Sequence, residues 1–271
     1  MNHAASPVVL LTDFGTSDIF TGVLKAVICS IDPKIPVIDL SHDVRPGDIA
    51  CASFMLSCAC AYFPEKSVFC VVIDPGVGSD RKGICIETRD YFFVGPDNGV
   101  MWAAASAIGI KRIIHLANRD FFLNPVSSTF HGRDIFAPVA ARISAGLKDI
   151  SFLGPSVDEC VKYTVPEIKF LGPLKWELVV IAIDRFGNIT LNITHDEFKN
   201  IVYDRKFCLT INNTRVKKYF NTYASADDNQ CFLVSSSFSF MEIAVKNSSA
   251  GAKIKAKPMD RAVLEVFSSL P

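Results

Sequence analysis

Long apolar runs, a surplus of charge of either sign and paired-cysteine motifs are all missing from this 271-residue sequence. The most apolar stretch, 50–63, carries three cysteines and two serines and falls short of the roughly 20 apolar residues that span a bilayer. It reads as a buried helix. Lys plus Arg and Asp plus Glu balance at 28 each, which leaves no electrostatic footprint for nucleic acid or a membrane surface. A small, discrete ligand is the expected partner. No basic segment precedes the apolar residues 8–11, and Asp13 follows at once, so no secretory signal is expected and the chain is expected to begin near Met1. The nine cysteines, an odd number, include no C-x-x-C pair and no second cluster that would complete a zinc site. Reduced, buried thiols in a cytoplasmic protein are the expectation, with Cys51, Cys58 and Cys60 packing as small core hydrophobes.

What the sequence does have is 49% apolar residues, enough to bury a substantial core and to exclude intrinsic disorder. In the first half strands alternate with helices. The run 8–12 ends in Asp13, and Ile19, Phe20, Val23, Leu24, Val27, Ile28 and Ile31 then recur at helical spacing. The cycle repeats with a strand at 36–40, a helix at 48–62 stopped by Pro64, and a strand at 68–74. Residues 85–88 and 91–94 read as a hairpin, 100–108 as a helix and 113–116 as a strand. Residues 151–175 hold Gly154, Pro155, Pro166, Gly172 and Pro173 without periodicity and read as a linker, placing a boundary at 165–172. Short β-rich runs follow at 178–183, 189–193, 207–211, 231–234, 240–245 and 263–267. The predicted architecture is an α/β domain with a central, mostly parallel sheet over 1–165 and a small all-β, barrel-like domain over 173–271.

Ligands of open α/β sheets bind beyond the carboxyl ends of the strands. Asp13, ending the first strand, suits a vicinal diol such as a ribose, and reads equally as a turn residue with Asp18 as the helix cap. Asp74 ends the third strand before Pro75-Gly76-Val77-Gly78, which fits either a close backbone approach to a ligand or a tight turn. His131, before an apolar helix, is the third candidate, against a structural role. Asp13-Phe14-Gly15 spells the kinase magnesium triplet but lacks the loops and lysine strand that go with it, and no dinucleotide or phosphate-loop signature is present. His42 and His195, each followed by Asp, are read as surface turn residues and helix caps rather than metal ligands. In the second domain, residues 183–189 read either as a hairpin turn or as an adenine site, with Phe186 for stacking, Asn188 for the purine edge and Tyr223 for the opposite face.

Five segments together resemble the S-adenosyl-L-methionine hydroxide adenosyltransferases, relatives of the fluorinase and chlorinase enzymes. They are Leu11-Thr12-Asp13-Phe14-Gly15, Asp74-Pro75-Gly76-Val77-Gly78 with Arg81, Gly95-Pro96-Asp97-Asn98-Gly99, Thr129-Phe130-His131-Gly132-Arg133-Asp134, and Ile183-Asp184-Arg185-Phe186-Gly187-Asn188. The resemblance implies a homotrimer whose active sites lie between one subunit's first domain and its neighbour's second. It implies that Asp74, Arg81 and His131 are catalytic and that Asp13, Phe130, Asp184, Phe186, Asn188, Tyr223 and Ser237 bind substrate. Asp13 would hold the ribose, while Asp184 and Ser237 would hold the methionine end. The implied reaction is hydrolysis of S-adenosyl-L-methionine to adenosine and L-methionine at the 5′ carbon, with no metal or cofactor and with His131 or Asp74 taking the proton. A halide-using adenosyltransferase and a non-catalytic S-adenosylmethionine or adenosine binder are the competing readings. Halogenating relatives carry tyrosine at the Asp74 position, serine at the Gly132 position and, in the fluorinase, an insertion where 85–91 is compact. This sequence departs from them at all three. It also has Ser239-Phe240 where the family usually has Gly-Tyr.

Overall fold

The computed structural model describes residues 5–267. The chain divides into two compact units between Thr164 and Val165.

The first unit is a seven-stranded sheet built from β1 (Val8–Thr12), β2 (Val37–Ser41), β3 (Val68–Val72), β4 (Gly83–Thr88), β5 (Phe92–Pro96), β6 (Ile110–His115) and β7 (Ser156–Val157), in the order β2-β1-β3-β5-β4-β6-β7. Four helices accompany it: α1 (Phe20–Ile31), α2 (Ile49–Ala59), α3 (Trp102–Ile108) and α4 (Ala137–Ser144). Every residue of β1 and β3 is buried, because both faces of the sheet are covered. Alternate residues serve opposite cores. Val8, Leu10, Val68, Cys70 and Val72 pack with Leu24 and Ile28 of α1 and Val139 and Ile143 of α4. Val9, Leu11, Phe69, Val71 and Ile73 pack with Ala52 and Leu56 of α2 and with Ala104 and Ala105 of α3.

Parallel pairing covers only half of this sheet. The contacts β2–β1, β1–β3 and β3–β5 are parallel, whereas β5–β4, β4–β6 and β6–β7 are antiparallel. The sheet is therefore mixed rather than mostly parallel. The short 89–91 link lets β4 and β5 close as a hairpin, which can only be antiparallel. Because β1 leads outward to β2 and the chain then returns across β1 to β3, the strand order reverses between β1 and β3. The carboxyl ends of those two strands form the crevice where such sheets hold ligands.

The second unit contains β8 (Lys169–Gly172), β9 (Lys175–Ile183), β10 (Ile189–Thr194), β11 (Lys206–Ile211), β12 (Thr214–Val216), β13 (Cys231–Ser235), β14 (Phe240–Val245) and β15 (Arg261–Phe267), with helices α5 (His195–Val202) and α6 (Ala250–Ile254). All pairings between these strands are antiparallel, in the order β12-β11-β15-β9-β10-β14-β13, with β8 on β9. The first half of β9 pairs with β15 and the second half with β10. Where it changes partner, Asn192 accepts from Val179 N at 2.6 Å and donates to the Pro166 carbonyl at 2.7 Å, so the backbone donor at the shift is satisfied. Tyr219 bridges to Leu233, drawing the two ends of the sheet together into a near-barrel around Leu178, Leu191, Leu209, Met241 and Leu264.

Three expectations need correction. The 151–175 segment is not a plain linker, since β7 joins β6 and β8 joins β9 within it. Ile19, not Asp18, occupies the N-cap of α1. Helix α5 follows β10 directly, closed by a capping box in which the Thr194 hydroxyl accepts from Glu197 N and the Glu197 carboxylate accepts from Thr194 N. Among the described residues no helix is long and apolar enough to cross a membrane.

Candidate active site

Strand β3 ends at Val72, and Asp74 stands two residues later, beyond its carboxyl end. Its position is set from the neighbouring strand. Asn98, just beyond β5, donates from Nδ2 to the Ile73 carbonyl at 2.7 Å and accepts from Val100 N, so the carbonyl next to Asp74 is clamped. The loop after Asp74 then folds back. Gly78 has φ +79°, and a Cβ there would stand 2.4 Å from the Ser128 carbonyl oxygen, so only glycine lets this loop lie against 127–129.

That closure brings Arg81 and His131 to Asp74. Arg81 grips the Asp74 carboxylate with two donors, Nε to Oδ1 at 2.9 Å and Nη2 to Oδ2, in a pair whose side chains are almost wholly buried. The same Nη2 lies 2.8 Å from Nδ1 of His131, and the guanidinium sits 5.2 Å from the ring centre of the buried Phe136. A guanidinium only donates, so Nδ1 must accept and the neutral imidazole carries its proton on Nε2. Burial first, and the Arg81 charge second, hold His131 below its ordinary value, against the opposing pull of Asp74 and Asp134.

His131 precedes a π-helical turn, Gly132–Phe136, that runs into α4, a distortion that often re-aims side chains at functional sites. Within it Asp134 is 1% exposed, accepts from Ser127 N at 2.7 Å and pairs with Arg133, thereby tying down the loop before His131. At Gly132 an added Cβ would lie 3.3–3.5 Å from Val72, Phe14 and Leu24. Little room exists there for a larger residue.

Asp13 leaves the end of β1 beside Asp74. It accepts from Gly47 N at 2.8 Å, and burial together with the charge of Asp74 pushes its carboxyl up. The turn carrying Asp13 is braced by His42, which is buried rather than a surface residue. His42 Nδ1 is 2.8 Å from the Thr12 hydroxyl, its carbonyl accepts from Gly15 N, and Nε2 lies 3.1 Å from Asp39 Oδ1. Phe130 packs edge-on against Phe14 and Phe20, with centroid separations of 5.7 and 5.2 Å, giving the crevice an aromatic wall.

In the second unit, residues 184–188 form the β9–β10 turn. Asp184 accepts from Asn188 N at 2.8 Å and from Asn188 Nδ2 at 3.1 Å, while Phe186 is 80% exposed. Gly187 has φ +84°, and a Cβ would collide with Ser249, the cap of α6. Tyr223, half-exposed, donates to Glu242 Oε2 at 3.1 Å, and burial with the nearby carboxylate pushes its phenol up to about 12. Ser237 lies in the exposed turn between β13 and β14, where Ser239 adopts φ +64°. His195 is no surface cap: it begins α5 with Nε2 3.1 Å from the Tyr219 hydroxyl.

Sequence reasoning assigned no role to Asn98, Asp134 or Glu242. Asn98 and Asp134 lie inside quoted motifs, which was the available signal. Glu242 alternates with core residues and so reads as a solvent-facing position. Cys60, Cys70, Cys85 and Cys208 are buried as expected, but Cys51 and Cys58 are only half-buried and Cys29 is exposed; burial pushes Cys51 to about 11 and Cys58 and Cys70 to about 12.

The family model described as the SAM hydroxide adenosyltransferase N-terminal domain matches residues 8–154, and the model for the C-terminal domain of the same family matches 178–263. The (R)-S-adenosyl-L-methionine hydrolase of Methanocaldococcus jannaschii is 43% identical over 202 residues, 73% of this chain and 70% of that protein. A fluorinase from an Actinoplanes species is more distant, at 21% over 212 residues, 69% of this chain and 71% of its own. The crystal structure of a conserved protein from Thermotoga maritima superposes with a TM-score of 0.88 at 33% identity, covering 95% of this chain and 99% of that one. With both units matched by models of one family, the chain belongs to the SAM hydroxide adenosyltransferases.

Proposed function

We propose that this protein is an enzyme that hydrolyses S-adenosyl-L-methionine to adenosine and L-methionine. A C–O bond forms between water and the 5′ carbon, the C–S bond breaks, and its electron pair leaves on the methionine sulfur. The sulfonium is already a good leaving group, so no metal or cofactor is needed to expel it. The difficulty is the nucleophile, which must be held in line and relieved of a proton. The observation that carries this reading is the hydrogen-bonded set Asp74, Arg81 and His131 at the crevice between β1 and β3. Arg81 supplies a fixed cation that stabilises developing hydroxide. His131, whose Nδ1 is taken by Arg81, offers an Nε2–H donor to orient the water. Asp74 keeps free lone pairs beside its two bonds to Arg81 and accepts the proton. Asp13 binds the ribose hydroxyls and Phe130 lines the pocket. Phe186, Asn188 and Tyr223 hold the adenine, and Asp184 and Ser237 the methionine ammonium and carboxylate.

Four relatives bear the name (R)-S-adenosyl-L-methionine hydrolase, which supports the substrate choice. We also read the protein as a cytoplasmic homotrimer whose sites are completed by a neighbouring subunit, an arrangement that sedimentation velocity tests. The decisive experiment is incubation with S-adenosylmethionine in oxygen-18 water, with and without chloride. Labelled adenosine plus methionine is expected. Formation of 5′-chloro-5′-deoxyadenosine, or tight binding without turnover, overturns hydrolysis.

A further inference from the structure

One buried ionisable group of the second unit has no task in the reaction above. Glu242 lies in the middle of β14 between Met241 and Ile243, which point into the barrel core. Period-two alternation puts Glu242 on the opposite face, with Phe232, Val234 and Ala244. That face is roofed by Phe220 and Ala226 and by the ring of Tyr223, 6.3 Å from that of Phe232, leaving Glu242 9% exposed.

A carboxylate in such a place is costly unless its oxygens are bonded, and here both are. Thr190, directly across on β10, donates to Oε1 at 3.3 Å, and Tyr223 donates to Oε2 at 3.1 Å. Both donors are neutral hydroxyls. Among the described residues no lysine or arginine pairs with Glu242, and the charge that acts on it, Asp184, has the same sign. Val234, its partner on β13, is apolar. The negative charge is thus solvated but not cancelled by the chain, directly beneath a half-exposed tyrosine and beside the turn that presents Phe186. An apolar residue would serve stability better, since uncompensated buried charge is destabilising.

We infer that Glu242 is a specificity-determining residue that makes the Tyr223 wall prefer a cationic ligand over a neutral one. The inference rests on the reading of the substrate as a sulfonium: Glu242 would favour the cation and relax its hold on neutral adenosine once the C–S electron pair has passed to sulfur and cancelled the sulfonium charge. The groups facing it are Tyr223, Thr190 and Asp184. Burial and Asp184 raise its carboxyl, while the two hydroxyl bonds lower it, so loss of a bond shifts its ionisation to higher pH.

Glu242→Gln keeps shape and removes charge. The expected result is a KM for S-adenosylmethionine raised roughly five-fold with kcat nearly unchanged and the affinity for adenosine unaltered. Equal weakening of both ligands, or a fall in kcat alone, overturns the inference. Tyr223→Phe gives a second reading should Glu242→Gln fail to fold: the acid limb of 1/KM for S-adenosylmethionine should move to higher pH, and an unmoved limb overturns the inference. If the wild-type protein does not turn over S-adenosylmethionine, the proposed reaction fails on its own. Calorimetric binding of S-adenosylmethionine and of adenosine to the same variants then still decides the role of Glu242.

Discussion

Arg81 Nη2 donates to Nδ1 of His131 at 2.8 Å and, together with Nε, also holds the Asp74 carboxylate, so one guanidinium sets both the tautomer of the histidine and the orientation of the acid. The arrangement resists protonation of His131, because a second ring proton would point at a cation.

The first consequence is a pH profile. His131 titrates below its ordinary value of 6.5, so kcat/KM should be flat through neutrality and fall only on the acid side of 6.5. Replacing Arg81 by Gln removes a charge that lowers the histidine and should move its titration to higher pH, as read by NMR of the imidazole. A titration left in place would mean that the Arg81 contact is absent in solution.

Asp74→Asn should lower kcat on the order of a hundred-fold or more while KM changes little, because the group acts on developing charge rather than on bound substrate. Equal losses in kcat and affinity would count against its role as proton acceptor.

His42→Ala should destabilise the protein by about 2–3 kcal/mol, since the buried Thr12 hydroxyl loses its partner and the turn bearing Asp13 loses its brace. Urea denaturation measures this. A loss below about 0.5 kcal/mol would make the contact incidental.

Ser239→Gly should stabilise by about 0.5–1 kcal/mol, because the residue adopts φ +64° and glycine enters the left-handed region without a Cβ penalty. A rise in Tm is expected, and a fall would show that the serine side chain contributes more than its backbone costs.

Thiol labelling tests the cysteine reading. At neutral pH in the folded state Cys29, the exposed thiol, should react first, while Cys70 and Cys85, fully buried, should react only on unfolding. Early modification of either buried residue would indicate local opening of β3 or β4.

Local pattern made much of this protein readable in advance. The runs 8–12 and 68–72 are apolar on both faces and could only be buried strands, and the helical spacing from Phe20 to Ile31 left one face to cover them. Helix α5 was missed: its polar composition gave no apolar run to read, although Thr194 and Glu197 stand at capping-box spacing. What sequence could not decide was anything set by contacts between distant segments. The hairpin of β4 and β5 was readable, but that β6 and β7 would continue the sheet antiparallel to β4 and make it mixed was not. His42, 30 residues from Thr12, became a buried brace only because β2 lies beside β1. Glu242, in an alternating strand that promised solvent, was buried by a roof arriving from residues 220–226. Residue spacing along the chain determines periodicity and therefore elements. The environment of a charge is decided by what packs over it, and that information is carried by no single segment.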